Sequence, residues 1–147
     1  MKLGVMQSHF FPYIGYFQLI ESVDTFLIYE YVSFRKKSWI TRNRLLDKKT
    51  GEPFFINIPV KGKSSNKLIN EMEIIKESKW KKKLLKDIYF NYKKARFFNE
   101  IYPFLEELIN FSEYNLHCYN SNSIIKICDL LDIKTKIISK DLSNVIL

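Results

Sequence analysis

The sequence predicts an α/β domain in which a Rossmann-like sheet is capped by a helical second half. Three observations predict it. Lys2 to Gln7 is a short apolar run ending at a polar break, as a strand does. Ile14, Phe17, Leu19, Ile20 and Val23 follow with helical spacing, and Asp24-Thr25 ends that stretch. Phe26-Leu27-Ile28-Tyr29 is then a continuous apolar run, the pattern of a strand buried on both faces. These pieces form a strand–helix–strand unit of roughly 30 residues, the length of a βαβ crossover. A Rossmann-like sheet in a three-layer domain is therefore expected, with Pro12 in the first helical turn, where its missing N–H costs nothing.

The remaining elements follow in order. Asp47 to Pro53 contains Lys-Thr-Gly and reads as a hairpin turn. Phe54 to Val60 reads as a strand, with Pro59 near its end. Lys61 to Lys67 is a basic polar loop, and Asn70 to Ile75 is expected to form another short strand. From Ser78, a suitable N-cap, the chain turns helical. Trp80, Leu84, Ile88 and Tyr92 share one face of that helix and Lys81 to Lys83 the other. Pro103 to Asn110 predicts a second helix, Ser123 to Leu131 a third, and Ile137-Ile138 a last strand. With 147 residues the chain supports a single core. One domain is expected, an α/β part over 1–77 and a mainly helical part over 78–147. The aromatics Tyr89, Phe90, Tyr92, Phe97 and Phe98 of the helical part are expected in its core.

Charge is unevenly placed. The net charge is +8, and residues 61–96 alone hold twelve basic and four acidic residues, an excess equal to that of the whole chain. Such a patch either steers anions or is a solvated helix face. Cys118 and Cys128 form no CxxC pair, and with two histidines they are too few and too scattered for a structural zinc site. Met1-Lys2-Leu3-Gly4 leads into a short strand, so no signal peptide is expected, and no stretch approaches the ~18 apolar residues of a membrane span. A cytoplasmic protein with free thiols is expected.

Two clusters carry the chemistry. In open α/β sheets ligands bind beyond the carboxyl ends of the strands, which is where Gln7, Ser8, His9 and Tyr13 lie. Gly15 near the helix start allows close approach, and the first free N–H groups attract an anion. Two dozen residues on stands Ser38-Trp39-Ile40-Thr41-Arg42-Asn43-Arg44. In an extended stretch Arg42 and Arg44 point to one side and Asn43 to the other. Two guanidinium groups on one face repel unless an anion lies between them, and Arg suits two-pronged contact with phosphate or carboxylate. A surface strand balanced by Asp24, Asp47 or Glu52 is the alternative. Trp39 either stacks on a base or sugar or is buried, and Ser38 adds a hydroxyl. His9 is a candidate general acid or base, and Tyr16 a second catalytic candidate. His117 and Cys118 are sequence neighbours and do not face each other, so no dyad is expected there.

The order of these residues resembles the WbqC-like family of bacterial polysaccharide-locus proteins. The resemblance rests on Gln7, Phe11-Pro12, Gly15-Tyr16-Phe17, Asp24, Ser38-Trp39 and Arg42-Asn43-Arg44. Weaker similarity continues through Leu68-Ile69, Trp80, Tyr92 with Lys93-Lys94-Ala95, and Asn120-Ser121-Asn122. The chain differs at Ser8, where the family usually has Pro, and it stops at Leu147, where the family usually runs on. The resemblance thus implies a short member without the usual C-terminal portion, a split gene or a degenerate copy. A more distant analogy places Tyr13-Ile14-Gly15-Tyr16 where nucleotidyltransferases carry His-x-Gly-His, after the first strand and at the first helix. Tyrosine donates a hydrogen bond but lacks the histidine's charge, so the analogy bears on a nucleotidyltransferase-like fold more than on the same chemistry.

The resemblance implies a role in building a surface polysaccharide such as O-antigen or capsule. Its concrete form is a transferase handling a nucleotide-linked sugar or an activated acyl or aminoacyl group. Arg42 and Arg44 would clamp phosphate or carboxylate, Gln7, Tyr13, Gly15 and Tyr16 would bind the nucleotide side, Trp39 would stack, and Ser38 and Asn43 would orient. The expected ligand is a nucleotide or nucleotide-sugar, no metal is expected, and other polysaccharide-synthesis proteins are expected partners. The alternative is a noncatalytic module, either a scaffold or a nucleic-acid binder using the Lys61–Arg96 patch.

Overall fold

The computed structural model describes residues 1–77 and 79–139. In chain order the elements are β1 (Leu3–Gln7), α1 (Ile14–Glu21), β2 (Thr25–Tyr29), β3 (Arg42–Leu46) and β4 (Pro53–Asn57). There follow a 3-10 turn (Ile69–Glu71), α2 (Lys79–Tyr92), α3 (Phe98–Asn110), α4 (Leu116–Leu130) and β5 (Lys136–Ile138). The first strand–helix–strand unit forms as its hydrophobic pattern dictates. Its strands are parallel, with Val5 opposite Leu27, and β5 adds on the far side of β2, with Ile138 opposite Leu27. The N–H groups at the entry to β2 pair with the chain just before β1: Asp24 and Thr25 both donate to the carbonyl of Lys2, at 3.0 and 3.2 Å.

Only one face of this sheet is covered among the described residues. Phe26, Ile28 and Ile137 pack on Phe17 and Ile20 of α1 and on Ile124 of α4. Gly4 admits Phe26 closely, since a Cβ there would stand 2.8 Å from the ring. Strand side chains alternate between faces, so Leu3, Val5, Tyr29 and Ile138 point the other way and stay exposed. The expected three-layer arrangement is thus corrected to a mixed α/β fold with a small parallel sheet, layered on one side.

A second core fills the space between the β3–β4 hairpin and α2, α3 and α4. Ile56, Ile58, Leu84, Ile88, Ile109 and Tyr119 meet there with Phe10 and Phe34 from the loops. Tyr119 is fully buried and its hydroxyl donates to the carbonyl of Ile109 at 2.9 Å. The hairpin turn is the one its sequence signals. Asp47 Oδ1 accepts from the N–H groups of Lys49 (2.7 Å) and Thr50 (3.1 Å), and Gly51 supplies the left-handed φ of 74°.

Several expected elements differ. Pro12 precedes α1, whose N-cap is Tyr13. The strand after the hairpin ends at Asn57, and Val60 makes an isolated bridge to Ile74. Asn70 to Ile75 is not a strand: Leu68 N–H donates to Glu71 Oε2 at 2.7 Å, which favours the 3-10 turn at Ile69–Glu71. The helix expected at Pro103 starts five residues earlier, with Pro103 inside it. The helix expected at Ser123 starts at Leu116, because Asn115 caps it by accepting from Cys118 N–H. Ser78, the expected cap of α2, lies outside the described residues. Lys81 does not share a solvent face with Lys82 and Lys83. It is half-buried, with Nζ donating to the carbonyl of Phe111 at 2.8 Å. Tyr89, Phe90 and Phe97 are exposed at the α2–α3 corner, where one helix ends and the next begins, while Tyr92 and Phe98 are half-buried.

Candidate functional site

The two sequence clusters meet because two loops are stitched together. Phe10 N–H donates to the carbonyl of Trp39 at 2.9 Å. Asn43, at the start of β3, donates from Nδ2 to the carbonyls of Phe10 (3.1 Å) and Phe11, and its Oδ1 accepts the N–H of Arg44 at 2.7 Å. Phe11 is held in the left-handed region at φ 46°, a costly conformation for a bulky side chain. From the other side the buried Asn120 of α4 donates to the carbonyl of Ile40 at 2.9 Å. Both loops thus hang on side-chain amides anchored in regular elements.

A cavity of about 300 Å³ lies at this junction, bordered by His9, Pro12, Tyr13, Trp39, Asn43 and Arg44. Trp39 is 44% exposed, and the guanidinium carbons of Arg42 and Arg44 stand 5.7 and 5.4 Å from its ring centre. Arg42 also lies 4.6 Å from the ring of Phe55, and its Nε is buried without a hydrogen-bond partner. Among the described residues no carboxylate forms an ion pair with either arginine. Asp47 is occupied by its own turn, and Asp24 faces the N-terminal strand, where it accepts from Lys2 N–H. Stacking on the indole holds the two like charges where neutralisation does not.

Five of the sequence-selected residues therefore border one cavity: His9, Tyr13, Trp39, Asn43 and Arg44. The others lie around it. Arg42 does not border it and lies against both the indole and the ring of Phe55. The hydroxyl of Ser38 donates to the carbonyl of Arg35 at 2.7 Å, closing a local turn. The carbonyl of Gln7 accepts the hydroxyl of Tyr16 at 3.0 Å. Tyr16 is 2% exposed and packs edge-on against Phe17 and Phe26, so its ring supports the loop from beneath. Gly15 has ordinary helical backbone, and its missing Cβ leaves room for the ring of Tyr13, which folds over it. Burial lowers the pKa of His9, whose ring lies 5.6 Å from that of Tyr16. His9 is therefore neutral near pH 7, the state of a proton acceptor.

A buried polar group also lies beyond the strand ends, and of its members sequence reasoning named Ser8 but missed Glu30 and Ser139. Ser8 after β1, Glu30 after β2 and Ser139 after β5 are all buried. His117 of α4 reaches Ser139 Oγ from Nε2 at 3.2 Å and Ser121 Oγ at 3.4 Å. Ser121 and His117 are one helical turn apart, a spacing readable in the sequence, but only the fold brings Ser139 to them. No group of His, Cys, Asp and Glu suited to a metal ion occurs among the described residues, and no described helix is long and apolar enough to cross a membrane.

The chain matches the model of one protein family, described as the WbqC-like protein family, over residues 7–145. It is also 31% identical over 137 residues to uncharacterized protein Rv1507c of Mycobacterium tuberculosis (strain ATCC 25618 / H37Rv). That match covers 92% of this chain and 58% of the relative, so the chain spans little more than half of the relative's length. No solved structure matches.

Proposed function

The chain belongs to the WbqC-like protein family, and on that premise we propose that it is a transferase of surface-polysaccharide assembly. It takes a nucleotide-linked sugar or an activated acyl or aminoacyl group at the cavity between His9 and Arg44. The observation that carries the reading is the Trp39 indole flanked by two guanidinium groups that have no carboxylate partner among the described residues. A flat ring beside unneutralised arginines matches a base or sugar carrying phosphate or carboxylate. The polysaccharide role itself is drawn from the family resemblance.

In this reading Trp39 stacks on the donor, and Arg44, with Arg42 behind it, takes the charge that develops on the departing phosphate. Neutral His9 accepts the proton of the incoming hydroxyl or amine. Asn43 does not need to touch the ligand: its amide fixes the loop that carries His9. Tyr13 and Gly15 occupy the start of α1, as in a reduced nucleotidyltransferase-like, Rossmann-like site. The test is a thermal-shift screen of nucleotides, nucleotide-sugars and aminoacyl-adenylate analogues. A ligand at 100 times its Kd stabilises by roughly 2.7 kcal/mol, and that shift should vanish in Trp39→Ala and Arg44→Ala. Shifts that survive both substitutions would sink the reading.

A second reading has its own observation. At the α2–α3 corner Tyr89, Phe90 and Phe97 are exposed, with Lys93 5.5 Å from the Tyr89 ring and Arg96 5.0 Å from that of Phe97. Cations interleaved with exposed rings suit a single-stranded nucleic acid. Binding there should weaken steeply with salt and be lost on charge reversal at Lys86 and Lys93, with Arg42→Ala and Arg44→Ala silent.

A further inference from the structure

A second, larger cavity of about 400 Å³ opens between the β3–β4 hairpin and helices α2 and α3. Leu45 and Ile56 of the hairpin, Leu84 and Ile88 of α2, and Ile101 and Leu105 of α3 form its walls. Its size lies within the range of small-molecule sites, about 300–1,000 Å³. The rim has the opposite character. Arg44 and Arg96 both border the cavity, and neither forms an ion pair among the described residues. Arg96 rests on the Phe97 ring at 5.0 Å and Arg44 on Trp39 at 5.4 Å. Asn43 and Arg44 border this cavity and the smaller one alike, so the two spaces share a wall.

We propose that this cavity holds the hydrocarbon chain of an amphiphile whose anionic head, a carboxylate or a phosphate, is taken by Arg44 and Arg96. The polar groups in the lining are already engaged: the Tyr92 hydroxyl accepts from Leu46 N–H, the Tyr102 hydroxyl donates to the carbonyl of Leu85, and the Asn43 amide is held by the loop it fastens. The hydroxyls of a sugar or nucleotide among the apolar walls would therefore find few partners. Arg44 and Arg96 are both exposed beside the cavity, so a chain seated in it that ends in an anion gains charge-assisted contacts that a wholly apolar ligand does not. An aliphatic chain ending in an anion satisfies both. The inference goes beyond the transferase reading and stands on a different cavity, with Arg44 as the common residue.

The test is titration of the whole chain with hexanoate, octanoate and decanoate below their micellar concentrations, with decyl phosphate and decanol beside them. Affinity should rise roughly fourfold per added methylene, the equivalent of about 0.8 kcal/mol per buried CH2. Arg96→Glu should weaken decanoate at least about tenfold, near 1.4 kcal/mol, and leave decanol unchanged. Ala95→Trp, on an exposed turn at the cavity edge, should block every chain while leaving nucleotide-sugar binding intact. Tighter binding of decyl phosphate than of decanoate assigns the head as phosphate, and the reverse order as carboxylate. Absence of chain-length dependence would overturn the proposal, as would decanoate binding unaltered in both variants with their circular dichroism unchanged. Self-association that Ala95→Trp abolishes, without decanoate binding, would overturn it in favour of a second copy. Nucleotide-sugar binding with no amphiphile binding removes this inference alone, and the converse removes the transferase reading alone.

Discussion

The side-chain amide of Asn43 fastens the carbonyl of Phe11, a residue 32 positions earlier whose backbone is left-handed at φ 46°. That conformation costs an L-residue about 1–2 kcal/mol, and the same amide nitrogen also binds the carbonyl of Phe10. Asn43→Ala should therefore destabilise the fold by about 2 kcal/mol and release the loop before α1. Asn43→Asp should be worse, since it presents lone pairs to two carbonyls. Chemical denaturation measures the first effect and amide exchange at residues 8–13 the second. Unchanged exchange there in Asn43→Ala would refute the clamp.

Gly15→Ala tests how the ring of Tyr13 is placed. Tyr13 is 73% exposed and free to swing away from an added methyl group. The backbone of Gly15 is helical, so alanine should be neutral to slightly stabilising. Ligand affinity at the His9–Arg44 cavity should nevertheless fall. Equal affinity with equal stability would show that Tyr13 plays no part.

Tyr16→Phe separates chemistry from support. Loss of the hydroxyl bonded to the Gln7 carbonyl should cost about 1 kcal/mol of stability. Bound nucleotide-sugar should still protect the variant in the thermal-shift screen. Complete loss of ligand binding in a folded Tyr16→Phe protein would assign the hydroxyl a direct role.

The thiols should differ in reactivity. Burial, with Asp129 adding to it, pushes the Cys128 thiol up to about 11, so it carries almost no thiolate at pH 8. Cys118 is only partly buried. A maleimide should label Cys118 in the native protein and Cys128 only in denaturant, as peptide mass analysis would show.

His9 links stability to pH. Burial lowers its folded pKa, so as pH falls below about 6.5 the unfolded chain takes up a proton first. Its contribution is full above that pH and is lost as pH falls toward the folded value. The Tm of the parent should drop more between pH 7 and 5.5 than that of His9→Gln. Parallel pH profiles would contradict the burial of the ring.

Elements with strong local patterns were legible. β1, α1 and β2 follow from apolar spacing, and the hairpin turn from Asp47 and Gly51, because each depends on neighbours within a few residues. Elements decided by distant partners were not. Asn115 is an ordinary N-cap type, yet α4 starts at Leu116, seven residues before the helix expected at Ser123, because its first turns are held by packing against distant elements. Exposure of Tyr89, Phe90 and Phe97 was likewise unreadable, since whether an aromatic is buried depends on what packs against its helix end.

By itself the sequence determined which residues carry charge and rings, and that Arg42 and Arg44 share a strand face around Asn43, since strand geometry has a period of two. Tertiary structure alone decided that the Phe10–Phe11 loop and the Trp39 loop touch. It also decided that Tyr16 lies beneath the loop while Tyr13 borders the cavity, and that Ser139 meets His117 across 22 residues. The physical reason is the range of the forces involved. Spacing and propensity act over a few residues, whereas the amides of Asn43 and Asn120 act on carbonyls 32 and 80 positions away, and only folding brings those within reach.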